Sequence, residues 1–325
     1  MNFITLIVTF FTFLPGSEIP NESVNIRIHD AVERSLPYLR RDGLLWIMDQ
    51  NCVSCHHVPL MIWSHAEAKR SGVEIDSLSL DSWRNWALEK SLERNSKGLP
   101  SGHSNIAGLS KLILGKSNDN LPLKTDSLDS LVKIMLDAQK VDGTWRVGGQ
   151  MPFLDREIEE TKKVNNLWAL LALGKSKQNA ANHRILCDAI LTWIERTDEY
   201  ETNEPIILGI LLADVIENSQ HRENLLARLL ERQNEDGGWG WFQDGESNPL
   251  TTGQALYALL ETKSVELKAV YKAQNYLLAT QQESGKWRVD TMKMERGDPK
   301  ISNYWGTAWA TIGLLRSLNI NRKLR

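Results

Sequence analysis

Residues 52–56 read Cys52-Val-Ser-Cys55-His56, two thiols separated by two residues with an imidazole directly after the second. Thiols at this spacing can add across the two vinyl groups of one haem, and the adjacent His then reaches the iron from the proximal side. The pattern predicts covalently bound haem c, with Cys52 and Cys55 as attachment points and His56 as an iron ligand. For the opposite face of the iron the candidates are His103, Met292 or Met294, or no protein ligand. His or Met there favours electron transfer, and an open position favours binding or activating a small molecule. His57, next to His56, cannot easily reach that face. Two other chemistries stay open. One is a Cys52–Cys55 disulfide in an oxidising compartment; the other is zinc shared with His183 and Cys187, spaced i, i+4. Taken alone, Cys187 reads as a small core residue, and His65 as a hydrogen-bonded core histidine within an apolar segment.

Haem attachment of this kind belongs outside the cytoplasm, and the N-terminus fits export. Phe3 to Leu14 is an apolar run of twelve residues ended by Pro15, Gly16 and Ser17, too short to span a bilayer and of signal-peptide length. Residues 1–20 are therefore expected to be an export signal and the protein periplasmic or secreted, although the first basic residue is Arg27 and no A-x-A-like cleavage site is present. The competing reading is a buried first element of the fold. No transmembrane span is expected beyond this segment, should it stay uncleaved. The 38 basic and 41 acidic residues are mixed along all 325 positions, leaving no basic footprint for nucleic acid. Gly and Pro, 21 and 10 residues, are too few for a disordered chain.

These groups have to be positioned by helices. Leu128, Leu131, Val132, Met135 and Leu136 form one apolar face at helical spacing, and beyond residue 29 no segment reads as a convincing strand. Three segments repeat as Q-x3-G-x-W: Gln139 to Trp145, Gln233 to Trp239 and Gln281 to Trp287. Their spacings are 94 and 48 residues, about two periods and one of 47. A repeat of that length implies an array of helical hairpins. Each copy follows an amphipathic helix and precedes one that is apolar on most faces, as in 166–173, 252–260 and 307–315. The rhythm gives hairpins at about 29–71, 79–116, 125–176, 183–217, 222–263 and 266–318. In each repeat Gln can satisfy free backbone groups at helix ends, Gly permits positive φ, and Trp can cover the next hairpin.

On these Q-x3-G-x-W copies the chain resembles the squalene and oxidosqualene cyclases and protein prenyltransferase β-subunits. The resemblance implies an all-α fold, a single α/α toroid over 29–318 of about six hairpins, with inner helices around a central cavity. It does not carry the activities across. The cyclase Asp-x-Asp-Asp acid is absent, Asp126-Ser-Leu-Asp129 being the nearest run with the wrong spacing, and Cys187 lacks the Asp-x-Cys context of the prenyltransferase zinc site.

Moved back by 94 residues, Trp145 falls at position 51, so residues 52–56 occupy the corresponding loop of the first hairpin. The segment from His57 then reads as an inner helix with Pro59 in its first turn. His56 should lie at the mouth of the toroid, with His103 starting the neighbouring inner helix. Arg146 and Arg288, each in a Trp-Arg-Val context, should be near the same end, as partners for haem propionates or as solvated loop residues. The functional expectation is an exported c-type haem protein on a cyclase-like toroid, transferring electrons or carrying out haem redox chemistry with a partner protein or small molecule. The alternative is a terpenoid-cyclase-like or hydrophobic-ligand-binding toroid without haem.

Overall fold

The computed structural model describes residues 21–53, 56–117, 125–149, 154–176, 188, 192, 201–262, 266–290 and 299–323. The apolar run at 3–14, Cys55, His183, Cys187, Met292 and Met294 lie outside the described residues. Among the described residues there is no strand, and extended backbone pairs only in isolated bridges such as Gln281 with Trp287. The helices are α1 (Asn21–Gln50), α2 (His57–Arg70), α3 (Ser77–Leu92), α4 (Ile106–Ser117), α5 (Thr125–Asp137), α6 (Ile158–Lys175), α7 (Glu204–Val215), α8 (Ser219–Glu231), α9 (Pro249–Glu261), α10 (Leu267–Thr280) and α11 (Pro299–Lys323), with a single 3-10 turn at Ser101–Ser104. No described helix is long and apolar enough to cross a membrane.

Two layers follow from the hydrophobic patterns. The helices α2, α6, α7 and α9 are buried along nearly their whole length, as expected of segments that are apolar on most faces. With α4 and α11 they form the inner layer, packing α2 on α4, α4 on α6, α6 on α7, α7 on α9, α9 on α11, and α11 back on α2. The outer helices keep a single buried stripe. In α5, Leu131, Val132 and Met135 are buried, whereas Leu136, included in the periodic face, is exposed. Each outer helix rests on the inner helix before it: α3 on α2, α5 on α4, α8 on α7, α10 on α9, and α1 on α11. Five of the expected hairpins thus have both arms among the described residues. The outer arm of the hairpin expected at 183–217 falls largely outside them.

The repeat loops do one job three times. Gln139, Gln233 and Gln281 donate through Nε2 to the carbonyls of Gly143, Gly237 and Gly285 at 2.8, 2.9 and 2.9 Å. Those glycines have φ of 78°, 93° and 81°, a region that favours glycine. The indole N–H of Trp145, Trp239 and Trp287 donates to the carbonyls of Met135, Leu229 and Leu277 at the end of the preceding outer helix. The backbone N–H of the same Trp reaches Asn166, Thr252 and Thr307 on the inner helix that follows. One loop thereby ties the two arms of its hairpin.

The same contacts close the ring. Gln233 Nε2 also donates to Ala269 O on α10, and Gln281 Nε2 donates to Ala31 O on α1 at 2.8 Å. Gly237 abuts Lys272 O and Gly285 abuts Arg34 O, each three residues further along the receiving helix. The helix α1 therefore meets the last repeat loop as α10 meets the one before it. Between α11 and α1, Tyr304 Oη lies 2.9 Å from Leu39 O and Thr311 Oγ1 donates to Ser35 Oγ at 2.8 Å.

Candidate functional site

The first hairpin turns where Asn51 adopts φ of 47° and its N–H bonds to Ile47 O, ending α1. After the loop, α2 begins at His57 with Pro59 in its first turn, where the missing N–H costs nothing. His56 occupies the N-cap position without a capping side-chain hydrogen bond, and no acid stands in the first turn of α2. The N-terminus of α4 lies alongside, with Asn105 Oδ1 accepting from Gly108 N–H.

Between these helix ends and the loop after α5 lies an open cleft of about 500 Å³, with Trp46, Cys52, His56, Lys90, Asn105 and Arg146 among its walls. Trp46 donates its indole N–H toward Cys52 Sγ at 3.4 Å. Its ring stacks on His57 with centroids 4.6 Å apart, and His57 stacks in turn on Tyr304 at 4.0 Å. Lys90 pairs with Glu93 at 2.6 Å. Gly148 completes the wall, and a Cβ there would sit 2.7 Å from Ser104 O, so only glycine lets this loop approach so closely.

The structure brings Cys52, His56 and Arg146 to one cavity, as the phase of the repeat predicts. It does not bring His103 there. His103 sits in the Ser101–Ser104 turn, α4 starting only at Ile106, and its neighbours Gly102 and Ser104 line the cleft while it does not. His56 itself is 1% exposed, with the rings of Trp46, His57 and Trp305 at 4.6, 4.5 and 6.1 Å and its Nδ1 against that of His57. Arg288 lines a different pocket, beside Tyr276 and Asp155. The sequence reading missed Trp46, six residues before Cys52, and Lys90.

Between the inner helices α4, α7, α9 and α11 there is little space. The space bounded by Lys111, Glu204, Trp241, Gln254, Trp305 and Trp309 amounts to about 10 Å³, room for about one water. Arg156 Nη1 binds Glu204 Oε2 at 2.6 Å, while Trp168 Nε1 and Gln254 Nε2 donate to Oε1 at 3.0 and 3.3 Å. Burial pushes the Glu204 carboxyl up, but Arg156, the Trp168 N–H and Lys111 more than offset it and hold the group ionised, below the usual carboxylate range. The Lys111 ammonium lies 5.1 Å from the Trp168 ring centroid and 6.0 Å from that of Trp305, a chain-supplied cation among the aromatic rings.

No protein-family model matches the chain, and no curated protein matches it in sequence. Solved structures do. A possible GH105 family member from Salmonella enterica superposes with a TM-score of 0.57 at 14% identity, covering 95% of this chain and 97% of its own. A type II terpene cyclase from Scytonema, solved with its substrate geranylgeranyl dihydroxybenzoate, gives 0.55 at 11% identity, covering 92% and 99%. A further glycosidase gives 0.57 at 9%, covering 94% and 100%. At such identities the likeness is one of fold: the chain is an α/α toroid.

The haem expectation is corrected by these findings. The toroids described above are glycosidases and a terpene cyclase, which do not use haem. Among the described residues no three His, Cys, Asp or Glu side chains are grouped to hold a metal ion. The physical reason lies in His56, which is packed as part of the aromatic wall, with His103 outside the cleft it was expected to share. Covalent haem c falls, and with it the haem-based electron transfer drawn from it.

Proposed function

We propose that the protein is a small-molecule-binding α/α toroid without haem, whose ligand sits in the loop-end cleft and not on the ring axis. One observation carries this reading: the cleft offers about 500 Å³, within the range of ligand pockets, and the axis about 10 Å³. A polyene cyclisation has no room inside such a ring, and the Asp-x-Asp-Asp acid is absent. Glycoside hydrolysis calls for two carboxylates flanking the bond to be cut. Glu204 is the only carboxylate lining the axial space among the described residues, and it is committed to Arg156.

The chemistry of the cleft favours an organic anion with a flat apolar part. The N-termini of α2 and α4 carry partial positive charge, and the first turn of α2 is uncapped by any side chain. Arg146 is exposed on the wall and makes no ion pair among the described residues. Trp46 supplies an aromatic wall. The same reading keeps the chain outside the cytoplasm, on the strength of the apolar run at 3–14.

Titration with 8-anilinonaphthalene-1-sulfonate, a flat aromatic sulfonate, tests this. Saturable one-to-one binding is expected, weakened about tenfold or more by Arg146→Ala and by Trp46→Ala. Gln254→Met, on the axis, should leave it unchanged. Equal affinity in the wild type and both cleft variants refutes the assignment.

A further inference from the structure

A second cavity, of about 440 Å³, lies on the flank of the ring between α1, α2 and α3 and shares no lining residue with the loop-end cleft. Its walls include Leu36, Leu44, Val73, Ile75 and Trp83, and His65 from the middle of α2 lines it as well. The sequence leads one to expect His65 to be a satisfied core histidine, and it is satisfied on one side only. It is 4% exposed, and its Nδ1 lies 2.8 Å from Met61 O. A carbonyl only accepts, so Nδ1 carries the proton and Nε2 is left as a bare acceptor. Nε2 has no hydrogen-bond partner among the described residues. Because His65 lines the cavity, that acceptor is available to whatever fills it.

Burial lowers the pKa of His65 to about 4, against the hydrogen bond to Met61 and with help from Arg40, so the ring stays neutral near pH 7. Trp83 packs edge-on against the imidazole with centroids 5.1 Å apart, fixing its plane. The outcome is a largely apolar groove into which the Nε2 acceptor of His65 opens, a composition seen in small-molecule sites. The charges that line it are Glu33, Glu74 and Asp76 against Arg40 and Arg41.

We propose that this groove binds a neutral apolar molecule carrying a hydroxyl group, whose O–H donates to Nε2 of His65. A carboxylate would set acceptor against acceptor and face a lining with more acid than base. An ammonium would lose its hydration against Leu36, Leu44, Val73 and Ile75. Leaving a buried acceptor unpaired is costly, so the hydroxyl should decide between ligands of equal shape. The proposal stands on this groove alone and does not depend on the cleft.

The test compares 2-naphthol, naphthalene and 2-naphthoate against the full chain by calorimetry. The ¹⁵N resonance of His65 Nε2 is followed in parallel. In the wild type 2-naphthol should bind about tenfold more tightly than either relative and should shift the Nε2 resonance. In His65→Phe the gap between 2-naphthol and naphthalene should vanish while naphthalene still binds. Absence of 2-naphthol binding, equal affinity for naphthol and naphthoate, or a gap that survives in His65→Phe overturns the proposal. Should that variant fail to fold, the wild-type resonance decides, since an unmoved Nε2 under saturating 2-naphthol overturns it equally.

Discussion

At one end of the ring the inner helices begin, and at the other they finish, and the two ends treat charge differently. Where they finish, ion pairs run from helix to helix. Glu67 on α2 meets Arg70 and, at 2.7 Å, Arg316 on α11. Arg316 binds Glu261 on α9 at 2.9 Å, Glu261 binds Lys175 on α6 at 3.4 Å, Lys175 lies 3.8 Å from Asp214 on α7, and Asp214 meets Arg222 on α8 at 3.1 Å. Five inner helices are joined, with cations set where helix C-termini favour them. Where the helices begin, Arg156 pairs with Glu204 in the first turn of α7, Lys90 and Glu93 pair beside the cleft, and Leu45, Met48, Leu99 and Val141 stay exposed in the adjoining segments. One end is closed by charges that lie within ion-pair distance of one another. At the other, the N-terminal ends of α2 and α4 border an open cleft, which is why a ligand is placed there.

Breaking the ion-paired end should have the largest effect. Arg316→Ala leaves Glu67, with its side chain 1% exposed, and Glu261 short of a partner, and should cost about 3 kcal/mol or more in urea unfolding. A loss under about 1 kcal/mol would show that the ion-pair chain does not hold this end. Acid separates the contributions next. His65 has a folded pKa of about 4 against an ordinary 6.5, so the unfolded chain binds the extra proton first. Its contribution is complete above about pH 6.5 and falls by about 1.4 kcal/mol per unit as pH drops toward 4. His65→Phe should remove this limb. Burial raises the Glu261 carboxyl, but Arg316 and Lys175 pull it below the usual range, so its contribution is present above the ordinary carboxylate pKa and disappears only at lower pH. Arg316→Ala should move that lower limb upward and spare the one from His65.

At the open end the effects shrink. Gly148→Ala drives a methyl group into Ser104 O, and a cost of about 1–3 kcal/mol is expected together with weaker anilinonaphthalene sulfonate binding. Unchanged binding would mean that this loop does not shape the cleft. Lys90→Ala, whose partner Glu93 is largely exposed, should cost under about 1 kcal/mol.

What could be read in advance was local and repeated. Gln233, Gly237 and Trp239 carry their instructions within seven residues, and two further copies supply the check. The ring itself followed from periodicity and from helices too apolar to be exposed. The axis could not be read, because Lys111, Arg156, Glu204 and Gln254 lie in separate parts of the chain and only closure brings them together. At 52–56 the short-range pattern misled. Spacing fixes which atoms are near each other, but Trp305, some 250 residues away, helps decide whether His56 is presented or packed. His103 fell outside the cleft because the chain makes a 3-10 turn at Ser101–Ser104 before α4, with Gly102 close against Ser91 O.

The seam between α1 and α11 also sets a timetable for synthesis. Leu39 and Tyr304 are 265 positions apart, so α1 leaves the ribosome long before α11 is made. At roughly 5–20 residues per second that interval is on the order of tens of seconds. Throughout it Ile28, Val32 and Leu39, all buried in the closed ring, belong to a helix whose final neighbour does not yet exist. The nascent chain is then exposed to aggregation, and a chain truncated before residue 299 would lack α11 and never leave that state.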